Sequence, residues 1–146
     1  MNRLMYVGLF LSFFGLASCD VSDDEVPCIT GPVQLYLEFV EKQTGENLYA
    51  NDTFQTATLE VTDEDGVLVP FEFVQDLNRT FLKLTFEREV GEKLITLAIK
   101  EDVSLDLELT IAVLEDSCRS YYISEFEVPG YEYDQGGVAG VVRILF

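Results

Sequence analysis

Apolar and polar residues alternate at period two along most of the chain, the spacing that gathers apolar side chains on one face of a strand. In Gln34–Lys42, the residues Leu35, Leu37 and Phe39 share a face. Thr53–Thr62 aligns Ala57, Leu59 and Val61, and Val67–Val74 aligns Val67, Val69, Phe71 and Phe73, with Pro70 on the opposite face and therefore suited to a sheet edge. Thr80–Glu87 sets Leu82, Leu84 and Phe86 against Lys83, Thr85 and Glu87. Leu94–Lys100 follows with Ile95, Leu97 and Ile99, and Leu105–Val113 with Leu105, Leu107, Leu109, Ile111 and Val113. A helix would scatter that last set around its circumference. Tyr121–Val128 and Val138–Phe146 (Val142, Ile144, Phe146) complete the series. Turn-forming groups separate the segments: Thr44-Gly45, Asp63-Glu64-Asp65-Gly66, Asp76–Asn78, Gly91 and Pro129-Gly130. The pattern predicts an all-β chain, a single two-sheet antiparallel β-sandwich of about 7–8 strands. It would occupy residues 32–146, with no repeat and no second domain.

The first eighteen residues follow a different rule. They carry one charge, Arg3, and then an apolar run from Leu4 to Ala17. A bilayer-spanning helix needs about 20 apolar residues, and this run is shorter. A basic start, a short apolar stretch and small residues make a secretory signal peptide. At its end, Leu16-Ala17-Ser18-Cys19 resembles the lipobox of bacterial lipoproteins. The resemblance implies cleavage before Cys19 and acylation of its sulfur and amine. Several acyl chains together give a stable membrane anchor.

Ser22, Asp23, Asp24 and Glu25 come next. Taken alone, such a run is a solvated tether. Behind a lipidated cysteine it is similar to the acidic export signals that send lipoproteins of the Bacteroidota to the outer face of the outer membrane. Asp20, directly after the cysteine, matches instead the enterobacterial signal for inner-membrane retention. A lipid anchor in the outer membrane facing the cell surface is the expected location, and a periplasm-facing one is the alternative. The chain then divides into a lipoprotein signal peptide (1–18), a lipidated cysteine with an acidic tether (19–31) and a β-sandwich (32–146). Its architecture resembles the small immunoglobulin-like or transthyretin-like lipoprotein domains of Bacteroidota, without the buried Trp of antibody domains.

Charge and composition narrow the chemistry. There are 27 acidic and 9 basic residues and a net charge of −18; loss of residues 1–18 removes Arg3 and no acid, leaving −19. Nucleic acid is excluded as a partner, because phosphate binding needs clustered Lys and Arg. So is attraction to anionic lipid, which leaves the acyl chains on Cys19 as the membrane contact. The absence of His removes Ser-His-Asp and Cys-His catalysis and the common zinc sites.

Cys28 and Cys118 remain after Cys19 is lipidated. In an oxidising compartment they form a disulfide closing a loop of about 90 residues and stabilising the fold by about 4 kcal/mol in the chain-entropy model; two separate thiols are the alternative. Asp63-x-Asp65-Gly66 with Glu72 overlaps a calcium-binding EF-hand loop, but its first ligand position would be Val61, and a β-turn accounts for the same residues. Tyr131, Tyr133 and Asp134 lie between Pro129-Gly130 and Gly136-Gly137 and form a candidate binding surface in a loop or on an irregular edge. No catalytic residue, metal or cofactor is expected. The function expected is a non-enzymatic, lipid-anchored envelope module that binds a protein or glycan partner or serves as a structural accessory. The alternative is a small hydrolase acting on an envelope or extracellular glycan with two carboxyls about 5–9 Å apart.

Overall fold

The computed structural model describes residues 31–115, 118–135 and 140–146. Nine strands occur among them: β1 (Val33–Val40), β2 (Glu60–Asp63), β3 (Phe71–Asp76), β4 (Arg79–Phe86), β5 (Gly91–Lys100), β6 (Val103–Leu114), β7 (Ser120–Glu127), β8 (Glu132–Gln135) and β9 (Val141–Leu145). They make a five-stranded sheet in the order β3-β4-β1-β9-β8 and a four-stranded sheet in the order β2-β5-β6-β7. No helix among the described residues is long and apolar enough to cross a membrane.

The alternation predicted from sequence closes the sandwich. Leu35, Leu37 and Phe39 of β1, Leu82 and Leu84 of β4 and Ile144 of β9 point inward from the larger sheet. Val61, Ile95, Leu97, Ile99 and the odd-numbered residues from Leu105 to Ile111 meet them from the smaller one, in a single core cluster. Full burial of each such side chain contributes about 1.5–3 kcal/mol. On β7 the inward set changes from odd positions (Tyr121, Ile123) to an even one (Phe126). A bulge makes the change, because Ile123 pairs with Ile111 while Glu125 pairs with Thr110, leaving Ser124 as the extra residue.

Four particulars differ from the sequence expectation. The sandwich is not wholly antiparallel: β1 runs parallel to β9, with Glu38 opposite Arg143. Period-two alternation specifies which face a residue occupies and says nothing about strand direction. The Thr53–Thr62 strand is reduced to β2; Thr56–Thr58 form one 3-10 turn with Ala57 exposed, and only Leu59 and Val61 of the predicted face are buried. Val67 is 60% exposed, so the face ending in Phe73 does not extend back to it. By contrast, Tyr131–Asp134 lies on an edge as expected, where it includes β8, and Pro70 precedes the other edge, β3, as a proline should. The central place of β1, between β4 and β9, also departs from the constant-type immunoglobulin order, in which the first strand pairs with the second.

The two ends of the sandwich are unlike. The chain enters β1 at one end, here the tether end, where β6 finishes and β7 begins. The opposite loop end carries the β1–β2 connection, the β3–β4 and β5–β6 hairpins and the end of β9. It is closed by aromatic rings: Phe39 with Tyr49 at 5.4 Å, Phe54 with Phe146 at 5.1 Å and Tyr49 with Phe73 at 4.8 Å between centroids. The eight residues of β1 separate the two ends by about 25 Å.

Candidate functional site

The outward face of the five-stranded sheet carries a row of alternating charge that crosses every strand. Asp76 on β3 lies opposite Arg79 on β4. Arg79 reaches Glu38 on β1, which lies opposite Arg143 on β9, and Arg143 lies opposite Asp134 on β8. Each residue is an outward position of its strand, so the row follows from alternation once the register is set. In turn it holds that register, because a slip of one residue would turn a charge into the core.

Glu38 is the hub. It is 3% exposed, and Glu38, Asn47 and Thr80 are the buried polar residues among those described. The Arg79 Nε donates to Glu38 Oε1 at 2.8 Å, and Arg79 Nη2 donates to Oε2. Asn47 Nδ2 donates to Oε1 at 3.3 Å and to the Thr80 carbonyl at 2.9 Å, while Asn47 Oδ1 accepts the Ala50 amide at 2.9 Å. The β1–β2 connection thereby folds over the sheet and covers the carboxylate. Burial alone would raise the Glu38 pKa; hydrogen bonds from Arg79 and Asn47 and the charges of Arg79 and Arg143 outweigh it and hold the carboxyl below its usual value. The guanidinium of Arg79 also lies 5.0 Å from the Phe81 ring centroid.

Arg143 is held less completely. Its Nε is 3.6 Å from Glu38 and 3.8 Å from Asp134, within ion-pair range but beyond a hydrogen bond, and it has no hydrogen-bond partner among the described residues. A depression of about 480 Å³ lies over Glu38, Asn47, Asn51, Arg79 and Arg143. A second, of about 370 Å³, adjoins it around Tyr49, Asp52, Gln75, Leu77 and Asn78, and both include Ala50, Asn78 and Arg79 in their walls. The Tyr49 hydroxyl is buried with no hydrogen-bond partner among the described residues, and burial pushes its pKa well above the usual phenol value. A groove of about 730 Å³ lies on the outer face of the other sheet, and its lining includes Glu92, Glu108, Glu125 and Glu127 with Lys93.

Of the residues singled out from sequence, Cys19, Ser22, Asp23, Asp24, Glu25 and Cys28 lie outside the described residues. Cys118 is disulfide-bonded, on the connection between β6 and β7 at the tether end. Tyr131 packs on Phe146 at 4.9 Å. Tyr133 sits edge-on to Phe126 at 5.5 Å and donates its hydroxyl to the Phe126 carbonyl. Asp134 points to the other side of β8 and ends the charge row. The three do not share one exposed surface. Asp63 and Gly66 form a turn, with Asp63 Oδ1 accepting the Asp65 and Val67 amides and Gly66 at φ 75°. No cluster of metal-ligating side chains occurs among the described residues.

Glu38, Arg79, Arg143, Asn47 and Tyr49 were not singled out from sequence. One signal was available: Val40 follows Glu38 on the outward side of a strand whose inward side is already apolar, which marks a strand covered on both faces. Comparison with protein families, curated proteins and solved structures gives no match.

Proposed function

We propose that this chain is a lipid-anchored β-sandwich of the bacterial outer membrane, facing the cell surface, and that it acts by binding a partner rather than by catalysis. The observation that carries the reading is the separation of the two ends. The tether enters at one end, and the polar network with its depressions lies toward the other, about 25 Å away. An anchor at Cys19 would leave those loops directed away from the membrane.

The disulfide at Cys118 supports export, since such bonds persist in oxidising compartments. Its partner in this reading is Cys28, five residues before Val33. The start of β1 and the start of β7 line one groove, through Pro32 and Val33 with Tyr121 and Tyr122, so Cys118 belongs to the corner where the chain enters. That pairing leaves Cys19 free for lipid. Glu38, hydrogen-bonded by the Arg79 guanidinium with that of Arg143 in ion-pair range, suits a holding group better than the proton donor that a carboxylate hydrolase would need.

Fractionation of cells expressing Cys19→Ala tests the anchor. The variant should leave the membrane fraction, and its retention in washed membranes would overturn the lipidation. Replacing Asp23, Asp24 and Glu25 with alanine should reduce labelling of intact cells by added antibody without lowering total protein. Unchanged labelling would reduce those acids to a tether.

A further inference from the structure

Three features that work against folding meet at the smaller loop-end depression, the one around Tyr49, Asp52 and Leu77. Leu77 occupies the first position of the two-residue β3–β4 hairpin loop with φ 53°, where glycine is the unstrained choice. It is also 96% exposed, the most exposed large apolar residue among those described. Asp52, across the depression, has φ 62°, and these are the two non-glycine residues with positive φ among those described. Beneath them the buried Tyr49 hydroxyl lacks a hydrogen bond. Packing on Phe39 and Phe73 places the Tyr49 ring, but that packing calls for neither its unpaired hydroxyl nor the positive φ and exposure of Leu77. Strain and unsatisfied groups that persist at one place mark a site retained for binding.

We propose that this depression binds an uncharged sugar residue of a glycan. The proposal rests on the binding-module reading above and supplies its ligand class. Asp52, Gln75 and Asn78 line the wall with exposed carboxylate and amide groups. Together they offer acceptors and donors in planar groups, which match the paired hydroxyls of a sugar, each both donor and acceptor. Arg79 contributes no free charge, because Glu38 holds it. Asp52 is then the one uncompensated charge in the wall. That repels an anion, as does the net charge of −18, and a single carboxylate is too few ligands for a divalent cation. Leu77 supplies an apolar edge for the C–H face of a sugar ring. The volume, about 370 Å³, lies within the range of small-molecule sites.

The full-length chain in detergent, applied to an array of neutral, uronic-acid and amino-sugar oligosaccharides, gives the test. Retention of neutral oligosaccharides is expected, weakened at least tenfold by Asp52→Gly and by Asn78→Ala. In the same preparations Leu77→Gly and Tyr49→Phe should raise the unfolding midpoint, and Leu77→Gly should also weaken retention. Retention of no neutral sugar, retention of charged sugars alone, or retention indifferent to Asp52→Gly and Asn78→Ala would each overturn the proposal. So would a lowered midpoint in both Leu77→Gly and Tyr49→Phe, since the strain and the unpaired hydroxyl would then be absent. An uncharged peptide competing for the site without any sugar binding would make it a protein-docking surface instead. The anchor is judged separately: a Cys19→Ala chain that leaves the membrane but still retains the sugar fails neither reading, whereas an unsubstituted chain that is membrane-bound and retains no sugar fails this one alone.

Discussion

The two sheets present outer faces made by the same alternation of residues, yet those faces are held differently. On the five-stranded sheet, Asp76, Arg79, Glu38, Arg143 and Asp134 alternate in sign, and each charge finds an opposite neighbour. On the four-stranded sheet, Glu92, Glu108, Glu125 and Glu127 face one groove with Lys93 as its cation, and the Thr96 hydroxyl nearby donates to Asp106 at 2.7 Å. Outward position is thus a place, and neighbours decide what it contributes. A glutamate covered by a loop and flanked by two arginines holds strands in register. The same residue type in open solvent among like charges supplies solubility and a repulsive term.

The comparison can be broken in several ways. Reducing the Cys118 disulfide should act on both sheets if its partner is Cys28, as proposed, because that bond would tie the segment before β1 to the β6–β7 corner. A loss of about 4 kcal/mol is expected in urea unfolding, with the β circular-dichroism signal retained in the absence of denaturant. Loss of that signal on reduction would mean that the core does not stand without the crosslink.

Glu38→Gln should cost about 3 kcal/mol, the lower end for breaking a buried pair, because both guanidiniums are about one-third exposed. Thr96→Ala on the other sheet should stay within about 0.5 kcal/mol. Equal midpoint shifts for the two would show that the row does no more than a surface contact.

Acid tests the hub of the charge row. The Glu38 carboxyl is held below its usual value, so its contribution is complete above the unfolded-state value of about 4.3 and is lost as pH falls through the folded one. Unfolding midpoints should therefore fall on acidification, and Glu38→Gln should lose much of that fall. A parallel fall in the variant would assign acid sensitivity elsewhere. The smallest effect is expected from salt: screening should raise the midpoint by a few tenths of a kcal/mol, and the rise should shrink when Glu108 and Glu125 are replaced by glutamine.

The core was legible in the sequence because burial on one face leaves a mark at every second residue. Leu105, Leu107, Leu109 and Ile111 are buried as their spacing requires, and the partners of Leu82 and Leu84 follow the same rule. β8 was not legible as a strand, since all four of its residues are exposed and leave no alternation. The 3-10 turn at Thr56–Thr58 was obscured for the opposite reason: Ala57, Leu59 and Val61 keep the period, but an alanine marks a buried face too weakly to decide. The charge row was invisible because its members come from distant segments. Glu38 reads as one polar letter in an alternating strand, and no local pattern links it to Arg79 or Arg143. Tyr131 and Tyr133 drew notice for their composition; Tyr131 packs against the core through Phe146, whereas Tyr133 contacts Phe126 and remains exposed.

The parallel pairing of β1 with β9 sets an order of events in time. The middle strand of the larger sheet begins at Val33, and its neighbour on one side begins at Val141, so the sheet cannot be completed until more than a hundred further residues are present. Closing a loop of that length delays pairing, and contacts so far apart in sequence make folding slow. A chain threaded through a membrane from its amino terminus would meanwhile have β1–β4 and the β5–β6 hairpin available, but not the strand that seals them. Topology thus keeps the larger sheet open until β9 is made, and that strand joins β1 to β8.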